Sequence, residues 1–265
     1  MRELKVSELS VSLKDKGQPL VDKISFRLGV GESLILLGQS GCGKTMTCRA
    51  LMGLLEKSRF RVSGSASLDG GELLGMPEKH RAGIYGKKVA FIPQNPMTAL
   101  DPSVSIGRQM DETLHLHTRL NSGRRQARIR ASLLEAGLEE TERVCHSRPN
   151  MLSGGMLQRV LIALALSTGA ELVIADEPTT ALDVVLRNET VDAFVRLREK
   201  GAAVLFVTHD FAAARRMGGE VLVMREGTLV ERGDVREVWA SPKDEYTKAL
   251  VRASALSKGA RHADR

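Results

Sequence analysis

The sequence predicts an α/β fold with a parallel sheet, an N-terminal antiparallel β subdomain and an inserted helical subdomain. Three observations lead to this fold class. The apolar segment Ser33–Leu37 has the density of a strand buried on both faces of a parallel sheet, and a glycine-rich loop and a helix follow it. From Met151 onward the pattern alternates between helix and strand, which is typical of βαβ units. Between about Asn95 and Asn150 the chain is polar, rich in Arg and Glu, and helical in period.

The N-terminal part of the chain predicts strands that are exposed on one face. Residues Leu4–Leu13 alternate loosely between apolar and polar side chains, and Ile24, Phe26 and Leu28 do the same. Val62–Leu68 predicts a further strand. We assign this region to the antiparallel β subdomain.

The rest of the chain alternates helices with short apolar strands. Within the insert, Ile129, Leu133, Leu134 and Leu138 recur at helical spacing. The predicted elements outside the insert are, in order, a helix over Thr45–Leu55, strands over Val89–Ile92 and Leu172–Ala175, a helix over Val184–Lys200, a strand over Ala203–Val207 and a hairpin of Val221–Met224 with Leu229–Glu231.

Composition and charge exclude several classes of protein. The chain has 265 residues, 42% of them hydrophobic, and 39 Lys and Arg against 32 Asp and Glu, for a net charge of +7. No apolar run approaches the ~20 residues that cross a bilayer, and the N-terminus shows no signal-peptide core. The three cysteines lack metal-binding spacing, and aromatic residues, at 3%, are too few for a platform that stacks single-stranded nucleic acid. The positive charge favours an anionic partner, which is nucleotide, nucleic acid or lipid headgroups.

A glycine-rich loop after the buried strand predicts a phosphate site. It fits the pattern G-x-x-x-x-G-K-[ST], with a strand before it and a helix after it, and so indicates a P-loop NTPase core. Glycines let backbone N–H groups converge on phosphate oxygens, the lysine reaches the β- and γ-phosphates, and the threonine hydroxyl ligates Mg²⁺. The predicted nucleotide-binding residues are Gly38, Gln39, Ser40, Gly41, Cys42, Gly43, Lys44 and Thr45. Cys42 is either a small spacer, which we favour, or a redox switch whose thiol pKa the helix N-terminus lowers.

Two carboxylates end the apolar strand Leu172–Ala175. Asp176 is expected to face the Mg²⁺ coordination shell, and Glu177 is expected to polarise the attacking water. A strand that ends in Asp-Glu is a weak signal alone, since such pairs often cap helices. The phosphate loop in the same chain favours the catalytic interpretation.

Three further elements narrow the class of site. Ser153, Gly154 and Gly155 precede a helix, where they form either a simple N-cap or a second anion site of backbone amides and the serine hydroxyl. Gln94 follows a predicted strand, where it is expected to touch metal and water. His209 follows another strand and is expected to contact a γ-phosphate, although a lone histidine after a strand is usually a surface residue.

Taken in order, these motifs resemble the ATP-binding cassette of ABC transporters, from about Leu4 to Arg252. The resemblance is carried by the phosphate loop, Gln94, Leu152–Met156, Asp176–Glu177, Ala181–Asp183 and His209. Other stretches resemble the nickel and oligopeptide importer branch, including a methionine at the fifth position of the motif over residues 152–156. Those stretches are Pro93–Pro102, Ser153–Arg159 and Asp176–Asp183.

The resemblance implies a Mg²⁺-dependent ATPase that drives a membrane permease. Two cassettes pair head to tail, and each ATP lies between the phosphate loop of one and the Ser-Gly-Gly motif of the other. The second cassette is a copy of this chain or a related chain. The implied partners are two transmembrane permease subunits and, indirectly, an extracytoplasmic solute-binding protein, with no nucleic acid. The implied location is peripheral, at the cytoplasmic face of the inner membrane.

Residue roles carry over from the resemblance by motif match. Glu177 is the implied base, His209 the switch, and Gln94 a sensor of metal and water. The implied Mg²⁺ ligands are Thr45, Gln94 and, through water, Asp176. The resemblance also implies that Ser153, Gly154 and Gly155 bind the γ-phosphate of the partner's nucleotide. Asp183 is implied to join the dimer interface.

We expect one nucleotide-binding domain over residues 1–265. The expected catalytic core spans about 1–94 and 155–245, the helical subdomain about 95–154, and a short C-terminal helix with a tail 246–265. Closure of the two cassettes is expected to pull on a permease through a groove near Gln94.

Two features depart from the family pattern. Cassettes usually stack adenine on an aromatic side chain around position 15 here, and residues 12–20 contain none, which predicts aliphatic contacts and loose base selectivity. Many oligopeptide-type cassettes carry a C-terminal extension with clustered cysteines, whereas no cysteine follows Cys145. The second feature favours nickel or a metal chelate as the solute, with di- or oligopeptides as the alternative.

Two other classes of function compete with the importer ATPase. A DNA-associated cassette ATPase would agree with the net charge, but such proteins carry long coiled coils, and no sustained heptads link Lys44 to Ser153. A scaffold that binds nucleotide without turnover is disfavoured because Glu177 and His209 are both present. The basic stretch Arg119–Arg130 is either a solvated helix face, which we favour, or a contact with anionic headgroups.

Overall fold

The computed structural model describes residues 3–15, 17, 19–180 and 182–260. The motif residue Ala181 and the predicted tail beyond Ala260 lie outside the described residues. The strands are β1 (Glu3–Leu13), β2 (Pro19–Gly29), β3 (Ser33–Leu37), β4 (Phe60–Leu68), β5 (Gly71–Glu72), β6 (Val89–Ile92), β7 (Leu172–Asp176), β8 (Ala203–Thr208), β9 (Glu220–Arg225) and β10 (Thr228–Asp234). The helices are α1 (Lys44–Leu51), α2 (Glu78–Arg81), α3 (Ile106–His117), α4 (Ser122–Glu135), α5 (Thr141–His146), α6 (Gly154–Thr168), α7 (Val184–Glu199), α8 (Phe211–Met217), α9 (Val235–Ala240) and α10 (Glu245–Ala260).

The described residues form two compact units. A helix-rich unit contains Val30–Glu32 and Pro77–Val204. A strand-rich unit contains the described residues up to Gly29, together with Ser33–Met76 and the residues from Leu205 onward. Each unit has its own set of buried apolar residues.

The strand-rich unit contains the predicted antiparallel β subdomain. Its four-stranded sheet has the order β2-β1-β4-β5, and β1 pairs antiparallel with both of its neighbours. Leu4, Val6, Leu9 and Val11 of β1 are buried, and the alternation shifts by one residue between Val6 and Leu9, where the pairing with β2 is irregular. In the same unit β3 pairs parallel with β9, and β9 forms an antiparallel hairpin with β10. The predicted hairpin is therefore present, with longer strands.

Helix α1 is shorter than the predicted Thr45–Leu55, because it ends at Leu51. Gly53 has a left-handed backbone with φ of +62°. Its N–H donates to the carbonyl of Ala50 at 3.0 Å, and the N–H of Leu54 donates to the carbonyl of Arg49 at 2.8 Å. Both bonds satisfy carbonyls at the end of the helix, and the left-handed glycine turns the chain away from the helix axis.

The helix-rich unit holds most of the polar insert. One face of α4 is buried through Ile129 and Leu133, and Leu138 is buried just beyond the helix. Leu134, predicted to belong to the same periodic set, is 54% exposed, because it lies about 100° around the helix axis from Leu133 and so outside this face. The buried residues of α3 recur with the same helical spacing, at Ile106, Met110 and Leu114. This unit also contains β6 and β7, which pair parallel.

Four of the five arginines in the basic stretch Arg119–Arg130 are exposed, as a solvated helix face requires, and Arg125 and Arg128 make contacts within the unit. Arg125 forms a two-bond ion pair with Asp111 of α3, at 2.8 and 3.0 Å, and its side chain is only 12% exposed. Arg128 donates to the carbonyls of Leu166 and Ser167 near the end of α6, at 3.2 Å each. These arginines hold α4 against α3 and α6.

Helix α6 begins at Gly154, and a short 3₁₀ turn over Pro149–Met151 precedes it. Most of its residues are buried, which is typical of a central helix that is apolar on nearly all sides. Among the described residues, no helix is both long enough and apolar enough to cross a bilayer.

Candidate functional site

The phosphate loop joins β3 to α1 within the strand-rich unit. All five residues of β3 are buried, so the loop starts from a fixed point. Gly41 and Gly43 have φ of +84° and +111°, which other residues adopt only with strain. A Cβ on Gly38 would overlap the carbonyl oxygen of Met224. The backbone of the loop therefore requires glycine at these positions.

The polar contacts of the loop centre on Lys44. Its side chain is 3% exposed, and its Nζ donates to the carbonyl oxygens of Gly38 and Gln39, both at 2.8 Å. Cys42 is also buried, with its Sγ 3.9 Å from that Nζ. The N-cap of α1 is Gly43, which has no side chain to cap the helix. A helix start of this kind suits a bound phosphate in the place of a cap.

Tyr246 contacts the loop, although no sequence pattern predicts this contact. The backbone N–H of Gln39 donates to the hydroxyl oxygen of Tyr246, at the start of α10, with a distance of 2.9 Å. The two residues are 207 positions apart, and no sequence motif joins them. Tyr246 and Arg225 line a cleft of about 550 Å³ together with the first residues of the loop.

His209 lies in the strand-rich unit, between β8 and α8. It is exposed, as both the functional and the surface interpretation require. The next residue, Asp210, accepts hydrogen bonds from the N–H groups of Ala212 at 2.7 Å and Ala213 at 3.4 Å, and so caps α8. The cap sets the direction in which the chain leaves His209.

The acidic pair lies in the helix-rich unit, at the end of the fully buried strand β7. Asp176 is 4% exposed and Glu177 is 9% exposed. Glu177 has a φ of +46°, an uncommon conformation for a residue with a side chain. The hydroxyl of Thr180 donates to Oε2 of Glu177 at 3.0 Å, which fixes one carboxylate oxygen. Strained backbone at a buried carboxylate is a frequent feature of active sites.

Gln94 follows β6 and is exposed. Its backbone carbonyl accepts a hydrogen bond from a side chain of α6. The Nε2 of Gln158 donates to the carbonyls of Pro93 at 3.2 Å and Gln94 at 3.3 Å. Gln158 is 3% exposed, so this link is buried. It connects the chain at Gln94 to the helix that begins at the Ser-Gly-Gly motif, and the sequence analysis had not assigned it a role.

The Ser-Gly-Gly motif forms the N-terminus of α6. The side chain of Ser153 accepts a hydrogen bond from the N–H of Met156 at 3.3 Å, which is the N-cap that the sequence predicts as one alternative. Ser153 and Gly154 are exposed, whereas Gly155 is buried. No described atom lies within 4 Å of a Cβ built on Gly154. A larger residue such as alanine would therefore fit at position 154 without a clash within the folded chain.

Asp183 is the N-cap of α7. Its Oδ1 accepts hydrogen bonds from the N–H groups of Val185 and Leu186, both at 2.9 Å. The side chain is exposed, and the two residues that follow, Val184 and Val185, are exposed apolar side chains at 42% and 65%. Its predicted role at a dimer interface stays a prediction.

The predicted site residues divide between the two units. The phosphate loop and His209 belong to the strand-rich unit. The helix-rich unit holds the others, which are Gln94, Ser153, Gly154, Gly155, Asp176, Glu177 and Asp183. Of residues 12–20, predicted to lie near the base, Lys16 and Gln18 lie outside the described residues.

The residues that the sequence predicts as Mg²⁺ ligands are Thr45, Asp176 and Gln94, and each carries a side-chain oxygen. Oxygen ligands suit Mg²⁺ better than a softer metal. In the part of the chain that the structure describes, no group of three or more His, Cys, Asp or Glu side chains gathers as a dedicated metal cage. Mg²⁺ at nucleotide sites typically uses one or two carboxylates and takes its other ligands from phosphate and water.

Comparison with protein families and with known proteins gives a consistent result. A family model described as ABC transporter matches residues 21–180. A metal-staphylopine import system ATP-binding protein of Staphylococcus aureus is 37% identical over 252 residues, which cover 95% of this chain and 93% of that protein. An oligopeptide transport ATP-binding protein of Lactococcus lactis is 38% identical over 254 residues, which cover 95% of this chain and 75% of that protein.

Solved structures agree in fold. The dimeric structure of a bacterial ABC transporter cassette matches 88% of this chain and 99% of its own, with a TM-score of 0.76 and 26% identity. A dimeric post-hydrolysis state of that cassette, bound to ADP and phosphate, matches equally well. The similarity confirms the predicted α/β core with its antiparallel β subdomain and helical insert.

Proposed function

This chain belongs to the ABC transporter family, and from that premise we propose that it is the ATP-binding and ATP-hydrolysing subunit of an ABC importer. The observation that carries the proposal is the phosphate loop, with its required glycines and its buried lysine between a strand and a helix. One relative is named as the ATP-binding protein of an import system and the other as an oligopeptide transport ATP-binding protein, which supports the same activity here.

In the proposed site, the phosphate loop binds the nucleotide. The backbone N–H groups at the start of α1 face the phosphates, and the ammonium group of Lys44 turns from the carbonyls of Gly38 and Gln39 to the β- and γ-phosphates. The buried position of Lys44 strengthens its attraction to the anion, because little water screens the charge. Base selectivity is loose, since residues 12–20 contain no aromatic side chain.

Mg²⁺ is the proposed cofactor. Thr45, Gln94 and, through water, Asp176 would hold it, and the ion would neutralise charge that develops on the phosphate oxygens. The burial of Asp176 at the end of β7 suits this role, because a carboxylate with few waters around it benefits from a cation.

Glu177 is the proposed general base. It accepts a proton from the water that attacks the γ-phosphorus, while the bond from that phosphorus to the bridging oxygen of ADP breaks. The hydrogen bond from Thr180 to Oε2 orients the carboxylate. Gln94 orients the water and the metal, and His209 contacts the γ-phosphate as the switch.

The proposed assembly contains two cassettes, head to tail. Ser153, Gly154 and Gly155 bind the partner's γ-phosphate, and Asp183 joins the interface. The absence of a steric demand for glycine at residue 154 supports this arrangement, because a ligand outside the chain then explains the residue. The similar cassette of known structure is a dimer.

Two transmembrane permease subunits and an extracytoplasmic solute-binding protein complete the proposed importer. The chain is then a translocase subunit, peripheral at the cytoplasmic face of the inner membrane. The proposed domain boundaries within this chain are those that the sequence predicts. The catalytic core spans about 1–94 and 155–245, the helical subdomain about 95–154, and a C-terminal segment 246–265. Contact with a permease belongs to the helical subdomain, near Gln94.

The proposed solute is nickel or a metal chelate. Similarity to a metal-staphylopine import protein over 93% of that protein's length supports this choice. A di- or oligopeptide is the second candidate, since an oligopeptide transport protein has about the same identity. Uptake of radioactive nickel and of a labelled peptide, compared between a deletion strain and its parent, distinguishes the two solutes.

The activity is tested with Glu177→Gln. We expect this variant to bind ATP normally but to hydrolyse it at least 100-fold more slowly, because the base is lost while the phosphate loop is intact. It should also accumulate as a dimer with ATP, which size-exclusion chromatography detects. The measurements are ATP turnover and nucleotide affinity.

Lys44→Ala is the matched comparison for that test. Loss of the ammonium group should weaken nucleotide binding itself, whereas Glu177→Gln should not. Normal turnover by Glu177→Gln would show that another group is the base. Absence of nucleotide binding by the unaltered chain would refute the proposed function as a whole.

A further inference from the structure

The phosphate loop has a support outside the cassette motifs, at the start of the C-terminal helix α10. The hydroxyl oxygen of Tyr246 accepts the hydrogen bond of the Gln39 N–H at 2.9 Å. The same peptide group is held from the other side, because its carbonyl, which belongs to Gly38, accepts from Lys44 Nζ at 2.8 Å. The peptide group between Gly38 and Gln39 is thus fixed at its N–H by α10 and at its carbonyl by the lysine predicted to bind phosphate.

Tyr246 is itself held by the hairpin of β9 and β10. The two carboxylate oxygens of Glu231, in β10, accept from the N–H groups of Lys243 at 2.8 Å and Asp244 at 3.0 Å. Asp244 in turn accepts from the N–H of Tyr246 at 2.8 Å and caps the helix. Burial acts to raise the pKa of Glu231, but the hydrogen bonds from the N–H groups of Lys243 and Asp244 act against it, and that pKa lies below its usual value. Glu231 therefore stays ionised as the anchor of the turn.

The ring of Tyr246 has a further support from the same hairpin. The guanidinium of Arg225, at the end of β9, lies 5.6 Å from the ring centroid, within range of a cation–π contact. Burial raises the pKa of the Tyr246 phenol, so the hydroxyl is protonated at neutral pH and acts as a neutral acceptor for Gln39. The side chain is thus fixed at its backbone, its ring and its hydroxyl.

We propose that Tyr246 is a positioning residue for nucleotide binding, which acts through the peptide of Gln39. The N–H of Gln39 and the carbonyl of Gly38 belong to one planar peptide group, so the bond to Tyr246 also sets the direction of that carbonyl, which holds the Lys44 ammonium group at the loop before nucleotide arrives. Without the hydroxyl, this peptide group is held less firmly, and part of the binding free energy of the nucleotide is then spent on ordering the loop. This inference rests on the proposed function for its choice of nucleotide as ligand.

The test is Tyr246→Phe in the full chain, which removes one hydroxyl and keeps the ring. We expect the dissociation constant for ATP with Mg²⁺ to rise about 3- to 10-fold, the range for one lost hydrogen bond. Site-resolved hydrogen exchange should show faster exchange of the Gln39 amide without nucleotide. The melting temperature of the nucleotide-free protein should change little, because the cleft beside Gln39 is open and water replaces the hydroxyl.

Tyr85→Phe is the matched control, since it removes the same hydroxyl from the other tyrosine of the chain, in the helix-rich unit. It should leave both the Gln39 amide and the ATP affinity unchanged. A second variant, Gln39→Pro, removes the N–H donor. In that background Tyr246→Phe should have no additional effect on ATP affinity, as a double-mutant cycle requires of two residues that act through one bond.

Three outcomes overturn the proposal. One is an unchanged ATP affinity in Tyr246→Phe, and another is an unchanged exchange rate at Gln39. The third is a loss of affinity accompanied by a lower melting temperature and faster exchange throughout the unit, which indicates a merely structural role. The exchange at Gln39 is measured without nucleotide, so it tests this inference even if the proposed ATPase function fails.

Discussion

Two glycines of the proposed nucleotide site stand in opposite surroundings. A Cβ on Gly38 would overlap the carbonyl oxygen of Met224, whereas no described atom lies within 4 Å of a Cβ on Gly154. The first glycine is required by the fold of this chain. The fold of this chain does not require the second, and the proposed contact with a partner's phosphate would account for it.

We therefore expect the two glycine-to-alanine substitutions to separate folding from activity. Gly38→Ala should lower the free energy of unfolding by about 1–3 kcal/mol, because the added methyl group has no space. Gly154→Ala should leave it unchanged or raise it by up to about 1 kcal/mol, since alanine favours the helix. Turnover should nevertheless fall about 10-fold or more in Gly154→Ala, because the methyl group displaces the partner's phosphate.

Urea unfolding and ATP turnover measure the two effects. Normal turnover in a folded Gly154→Ala protein would contradict the proposed contact between the Ser-Gly-Gly motif and a partner's nucleotide. A stable Gly38→Ala protein would contradict the packing of the phosphate loop against Met224.

At the scale of elements, arginine side chains hold the helices of the helix-rich unit together. Arg125 links α4 to α3 through Asp111, and Arg128 links α4 to the end of α6. A cation at a helix C-terminus satisfies carbonyls that the helix leaves open and complements its dipole. These two of the chain's 39 Lys and Arg residues thus serve packing within this unit.

The ion pair of Arg125 and Asp111 predicts a pH dependence of stability. The hydrogen bond from the Arg125 guanidinium holds the pKa of Asp111 below its usual value of 3.8. The ionised carboxylate therefore stabilises the fold above about pH 3.8, and that contribution is lost as the pH falls through the lower pKa of the folded state. In Asp111→Asn the contribution is absent at every pH.

We expect the unaltered chain to be more stable than Asp111→Asn at pH 5, with the difference shrinking as the pH falls below 3.8. Urea unfolding at a series of pH values measures this difference. Glu112→Gln is the control, because Glu112 pairs with Arg108 on the surface, with side chains 58% and 73% exposed. A difference for Asp111→Asn that does not vary with pH would contradict the assignment.

At the scale of the whole molecule, the proposed binding of nucleotide predicts a gain in stability. The phosphate loop and His209 belong to one unit, and the acidic pair, Gln94 and the Ser-Gly-Gly motif belong to the other. A ligand that binds the folded chain and not the unfolded chain adds to the free energy of unfolding.

We expect ATP with Mg²⁺, at about 100 times its dissociation constant, to add about 2.7 kcal/mol to the free energy of unfolding and to raise the melting temperature by about 5–10 °C. Excess EDTA should reduce this shift, because the metal contributes to nucleotide affinity. Scanning fluorimetry with Glu177→Gln, in which hydrolysis is slow, measures both effects. A shift that EDTA does not alter would contradict a role for Mg²⁺.

Local geometry explains which features were predictable. The glycines of the phosphate loop, the N-cap at Ser153 and the strand that ends at Asp176 each depend on neighbouring residues in the chain, so their patterns are visible in the sequence. Where a local signal was overlooked, as with the left-handed Gly53 that ends α1, the predicted boundary was wrong.

The sequence by itself determined the family, the phosphate loop and the order of the motifs, because these follow from residue type and spacing. Only the tertiary structure decided that Tyr246 supports Gln39, that Gln158 holds the chain at Gln94, and that Arg128 binds the end of α6. A hydrogen bond depends on the distance and direction between two groups. For residues 38 to 207 positions apart, the packing of helices and strands sets that distance, and spacing along the chain does not.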